Sequence, residues 1–92
     1  VNDALTRQVT IVNARGLHAR AAAKFVETVR GFDANVQVTR DGETVSADSI
    51  MELLMLAASK GSSIQIQSDG NQAREALDQL VELVEAGFYE ED

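Results

Sequence analysis

His18 is the only imidazole in the chain, and it lies in the segment Asn13-Ala-Arg-Gly-Leu-His18-Ala-Arg20. A strand-like stretch precedes this segment and a helix-like stretch follows it, so His18 falls at a helix start. The first turn of a helix carries unpaired N–H groups and the positive end of the dipole, and such an end binds anions, phosphate above all. Gly16 lets the backbone turn sharply and approach a ligand closely. Arg20 can bring its guanidinium fork to the same place, and Arg15, just before the turn, adds positive potential. Positive surroundings disfavour imidazolium, so a neutral and nucleophilic ring is expected. A ring nitrogen can attack a phosphoryl group while the N–H groups and Arg20 neutralise the transferred charge. The plainer reading makes His18 an ordinary surface residue and Arg20 a solvated neighbour; spacing alone leaves both open. One His without Cys or a nearby carboxylate pair is a poor metal-ligand set, so neither a metal nor another cofactor is expected.

The elements that must position this segment follow from period and composition. The 92 residues fit one domain, 1–92, with 1–6 and 90–92 read as frayed ends. Apolar residues at 45% and charged residues at 25% are ordinary for a globular fold. The absence of Cys excludes disulfides, iron–sulfur clusters and thiol nucleophiles, and favours a reducing cytoplasm. No apolar run is long enough to span a membrane. The net charge of −7 is unevenly spread: residues 1–40 hold six Arg and Lys against three acids, whereas residues 41–92 hold Lys60 and Arg74 against twelve. Such a chain is a poor nucleic-acid binder, yet its basic half can attract a small anion or an acidic partner protein.

Gln8–Asn13 alternates, with Val9 and Ile11 on one face, and reads as a strand. His18–Arg30 has helical spacing at Ala22, Phe25, Val26 and Val29, stopped at Gly31. Asn35–Arg40 and Glu43–Ser46 read as strands joined by a hairpin turn at Asp41–Gly42. Ser49 and Glu52 have capping-box spacing, and a short helix from there is expected to run to about Ser59. Ser63–Ser68 alternates, with Ile64 and Ile66 inward. Asn71 is an expected N-cap for a last helix with an apolar stripe at Ala73, Ala76, Leu77, Leu80, Val81 and Val84, ended by Gly87. The order βαββαβα predicts an α+β fold, an open-faced β-sandwich. Its four-stranded antiparallel sheet is covered on one face by three helices.

Gly16-Leu-His-Ala-Arg20, followed by Ala22-Ala-Lys-Phe-Val26, resembles the active-site segment of the HPr family, the histidine phosphocarriers of the bacterial phosphoenolpyruvate-dependent phosphotransferase system. The resemblance extends over residues 7–89. Leu53-Leu-Met-Leu-Ala-Ala-Ser-Lys-Gly61 and Gly87-Phe-Tyr-Glu-Glu-Asp92 are similar to the nitrogen-related type, NPr. The resemblance implies that His18 is phosphorylated on its δ nitrogen, that Arg20 binds the phosphate, and that Gly16, Leu17 and Ala19 shape the loop with Arg15 beside it. It implies an Enzyme I-type donor and an Enzyme IIA-type acceptor, in the nitrogen-related regulatory branch or, alternatively, in sugar uptake. Ser49 matches the position phosphorylated by HPr kinase/phosphorylase in some bacteria, although Asp48 and Glu52 already supply negative charge there. Ala21 stands where the family usually has Pro, which removes no chemical group.

A carrier works within a relay rather than as an independent enzyme, so it needs docking surface. A two-layer domain covers the short second helix on one side only, so Ile50, Met51, Leu54 and Met55 are candidates for partner docking, with Lys24 beside the site. A monomer is expected. The alternative of another class is a regulatory module that docks without being phosphorylated.

Overall fold

The computed structural model describes residues 4–90. The sheet contains β1 (Leu5–Thr10), β2 (Asn35–Arg40), β3 (Glu43–Ser46) and β4 (Ser63–Asp69), in the spatial order β1-β4-β2-β3 with every pair antiparallel. The helices α1 (Ala19–Arg30), α2 (Ile50–Met55) and α3 (Ala73–Glu85) cover one face, and a 3-10 turn at Gly87–Tyr89 follows α3. This is the open-faced βαββαβα arrangement expected from the alternation of periods.

The inward residues of the strands, Val9, Val36, Val38, Val45, Ile64 and Ile66, meet the helical stripe Ala22, Phe25, Val26 and Val29 of α1. From α3 they meet Ala76, Leu77, Leu80, Val81 and Val84. Leu83 is also buried, whereas Ala73 is only half-buried. The β2–β3 hairpin turns through Asp41 and Gly42, both with positive φ, as a two-residue turn matched to strand twist requires. The outer face is polar across its middle: Gln8 lies opposite Gln65, which lies opposite Thr39, which lies opposite Thr44.

Three boundaries differ from expectation. The first strand is Leu5–Thr10 and not Gln8–Asn13. Leu5 and Thr6, expected to fray, pair with Ser68 and Gln67. Ile11 stays buried and bonded to the chain leading into β4 (Ile11 N to Ser62 O, 2.8 Å), but lies beyond the ladder. The second helix stops at Met55, because Leu56 closes the last turn and Ala57 takes a left-handed φ of 51°. Asn71 does not cap α3: its amide donates to Asp33 Oδ2 at 2.8 Å, and Gln72 holds the cap position without a side-chain capping bond, its Oε1 accepting instead from Asp33 N at 2.7 Å. Residues 1–3 and 91–92 of the expected frayed ends lie outside the described residues.

Candidate functional site

The loop from β1 to α1 is held in shape by a buried amide. Asn13 Nδ2 donates to Gly16 O at 2.8 Å, and Gly16 N donates back to Asn13 O at 3.1 Å. Gly16 has φ +66°, and a Cβ there would meet Ala58 O at 2.5 Å and Ser59 Cα at 2.8 Å. The close approach seats the loop against the segment that follows α2, and Leu17 N donates to Ala58 O at 2.8 Å. The Leu17 side chain, 5% exposed, is an anchor in the core. The chain is thereby fixed immediately before the residue that follows.

His18 is the N-cap of α1, with extended backbone, and its carbonyl accepts the first helical bond from Ala22 N. The imidazole replaces the usual hydroxyl or carboxylate of a cap: Nδ1 accepts from Arg20 N at 3.3 Å. Accepting a hydrogen bond requires a lone pair on Nδ1, which in a neutral ring puts the proton on Nε2. The basic nitrogen is therefore the one directed at the free N–H groups of the helix start. Ala19 and Arg20 are exposed in the first turn, and Arg15 is exposed in the loop. Neither guanidinium has an ion-pair partner among the described residues, so both remain available to an anion. Ala21, in place of Pro, is fully buried.

The other edge of the ring was not anticipated. Nε2 meets Glu90 Oε2, and Asn13 Nδ2 donates to Glu90 Oε1 at 3.0 Å. The surroundings of His18 are thus not uniformly positive, as the basic loop alone suggested. Burial pushes the Glu90 carboxyl up, but the hydrogen bonds from His18 and Asn13 and the charges of His18 and Lys24 outweigh it. Together they hold the Glu90 pKa below the usual carboxylate value. Glu90 is brought there by the turn after α3. Gly87, Phe88 and Tyr89 all have positive φ, Phe88 is fully buried, and Lys24 Nζ donates to Phe88 O at 2.6 Å. Lys24 is half-buried and ties down this turn. The sequence alone assigns Asn13 no role of its own, and Glu90, expected to fray with the end of the chain, is instead held by His18 and Asn13. The one signal for Glu90 was an apolar Phe88 inside a polar tail, a residue that needs somewhere to bury.

Ser49 caps α2, its Oγ accepting from Glu52 N at 3.2 Å. Glu52 reaches back to Ser46 N rather than to Ser49, so only half of the reciprocal box forms. Beside it Arg30 Nε meets Asp48 Oδ1 at 2.9 Å in the open. Ile50, Met51 and Met55 are exposed, Met51 by 73% and Met55 by 64%, whereas Leu54 is partly buried against the core. Ala58, whose carbonyl accepts from Leu17 N, lies three residues beyond Met55, so the end of α2 is joined to the His18 segment by backbone hydrogen bonding.

Among the described residues no three His, Asp or Glu side chains come together as a metal site, and no helix is long and apolar enough to cross a membrane.

The family model described as "PTS HPr component phosphorylation site" matches residues 5–86. The chain is 43% identical to the phosphocarrier protein HPr of Cupriavidus necator over 94% of its own length and 97% of that protein's. It is 46% identical to the HPr of Pseudomonas aeruginosa, over 90% and 93%. Among solved structures, HPr from Thermoanaerobacter tengcongensis superposes with a TM-score of 0.91 at 38% identity, covering 96% of this chain and 99% of that one. A sheet order, a site loop and a sequence that agree over almost the whole length leave one assignment: the chain belongs to the HPr family of phosphotransferase-system phosphocarriers.

Proposed function

We propose that His18 Nδ1 accepts a phosphoryl group from an Enzyme I-type donor charged by phosphoenolpyruvate, and that the group passes to an Enzyme IIA-type acceptor in the cytoplasm. The observation that carries this reading is the His18 ring at the N-cap, with the Nδ1 lone pair turned toward Arg20 N. A phosphoryl group bonded to Nδ1 would lie at the free N–H groups of the first turn, where the dipole favours anions. Arg20, unpaired, would add a charge-assisted fork, and Arg15 longer-range potential. Ile50, Met51 and Met55 would supply the apolar part of the docking surface, and Lys24 would act beside the site by fastening the turn after α3.

The matched relatives carry the plain HPr description, which supports the general phosphocarrier reading better than a specialised one. The nitrogen-related branch is a second reading, favoured only by Leu53–Gly61 and Gly87–Asp92. Phosphoenolpyruvate and Enzyme I should add one acid-labile phosphoryl group to the wild-type mass and none to folded His18→Ala. Label retained by His18→Ala in acid-labile form would refute the assignment. Offering the charged carrier a sugar-type and a nitrogen-type Enzyme IIA together separates the branches by which acceptor is labelled first.

A further inference from the structure

We infer that Glu90 is a positioning residue for this transfer: it holds the ring proton of His18 on Nε2 throughout the cycle, so that Nδ1 gives and recovers its electron pair without proton exchange. The inference rests on the reading of His18 as acceptor.

The ring of His18 is held at both nitrogens. Nδ1 takes the Arg20 N–H, and Nε2 faces the Glu90 carboxylate. A carboxylate oxygen only accepts, so the atom facing it must bear the proton. The competing neutral tautomer, with hydrogen on Nδ1, would set two donors against each other at Arg20 N and leave a lone pair against a carboxylate at Nε2. That form cannot attack phosphorus through Nδ1. Glu90 is itself oriented, since Asn13 Nδ2 occupies its second oxygen while also donating to Gly16 O. One buried amide therefore sets both the loop that carries His18 and the carboxylate that aligns it. Lys24 holds the turn from the other side through Phe88 O.

The chemistry then balances without a base. The Nδ1 lone pair forms the N–P bond while the bond from phosphorus to the donor's leaving atom breaks, its electron pair staying with the donor. Arg20 N–H is released from Nδ1 to a phosphoryl oxygen. The ring becomes an N-phosphorylated imidazolium whose positive Nε2–H lies against Glu90, in the manner of a histidine steadied by a buried acid. On delivery the N–P bond breaks, its electron pair returns to Nδ1, and the neutral ring is restored with the proton still on Nε2. Loss of that proton to water would leave a neutral phosphoimidazole, whose ring is a poorer leaving group.

The test uses the full chain with Enzyme I and phosphoenolpyruvate, comparing wild type, Glu90→Gln and Glu90→Asp. Nitrogen-15 shifts of the His18 ring in alkaline buffer should give the Nε2–H tautomer in wild type and a mixture in Glu90→Gln. Phosphorylation of Glu90→Gln at saturating carrier should be about tenfold to a hundredfold slower, the range for one hydrogen bond to a charged group. KM should hardly change, and Glu90→Asp should recover part of both effects. A Glu90→Gln chain with native amide spectrum, wild-type tautomer and wild-type rate overturns the role of Glu90 alone. A wild-type chain that takes no phosphoryl group overturns the carrier reading itself.

Discussion

Gly16 shows how one atom can decide whether the site exists. Its φ of +66° and the 2.5 Å from a notional Cβ to Ala58 O leave no room for a side chain. The atom in the way is backbone, which cannot rotate aside. Gly16→Ala must either strain the loop or push residues 57–59 away, at a cost of about 1–3 kcal/mol. For a domain of this size each kcal/mol lowers Tm by about 4–8 °C. The variant is therefore expected to melt early and also to lose phosphorylation out of proportion to its remaining folded fraction, since the displaced loop carries His18. Calorimetry together with phosphoryl incorporation at a temperature well below the melt checks this; wild-type incorporation would show that the loop tolerates the shift. The glycine's need was legible in the sequence as a turn between strand and helix. Its steric partner was not, because Ala58 belongs to a different element and carries no signal of its own. Asn13 is a similar case: it stood in plain sight in the site segment, but an amide's value lies in what it bridges, and Glu90 is far along the chain.

At the scale of elements, α2 combines a polar cap with an apolar face. Ser49 Oγ satisfies Glu52 N, Asp48 is taken up by Arg30, and Met51 and Met55 are left to solvent. Asp is as good a cap as Ser, and negative charge at a helix start is favourable by about 0.3–1 kcal/mol. Ser49→Asp should thus keep or slightly raise Tm. The same charge beside a docking face would repel an acidic partner surface that complements Arg15 and Arg20. The expected result is slower phosphorylation at His18, seen as a raised apparent KM for the carrier, with Ser49→Ala giving a near-normal KM and a slightly lower Tm. Steady-state phosphorylation and thermal melts of the two variants decide the matter, and equal KM values would make Ser49 a cap alone. The helices and strands themselves were legible because burial obeys period. Val9, Val36, Val38, Ile64 and Ile66 point inward as their alternation requires, and α1 buries its stripe. Boundaries were less so. Alternation reports which side chains are inside, not which amides pair, so Ile11 looks like strand although the ladder ends at Thr10. The early end of α2 depends on Ala57 adopting a left-handed turn that Gly61 seemed better suited to provide.

At the scale of the molecule, charge and topology govern encounter and assembly. The −7 net charge would repel an acidic donor, but the half of the chain that carries the site is positive, with six basic residues against three acids. Encounter should then be steered by that half and weakened by salt. Raising ionic strength from about 0.01 to 1 M shortens the screening length from about 30 to 3 Å. Over that range the apparent KM for the carrier should rise with little change in kcat; a salt-independent KM would mean that apolar contact alone brings the partners together. The His18–Glu90 pair joins positions 72 apart in sequence. Such a pair was beyond any reading by period, which sees only neighbours within one element. It also has a consequence in time. The β2–β3 hairpin closes locally, whereas β1 must wait for β4 and the ring must wait for the turn after α3. At a synthesis rate of about 5–20 residues per second, Glu90 is added about 4–14 s after His18. For those seconds the carboxylate proposed to align the ring does not yet exist. On the proposed role of Glu90, a chain therefore becomes a competent carrier only once the turn after its last helix has docked.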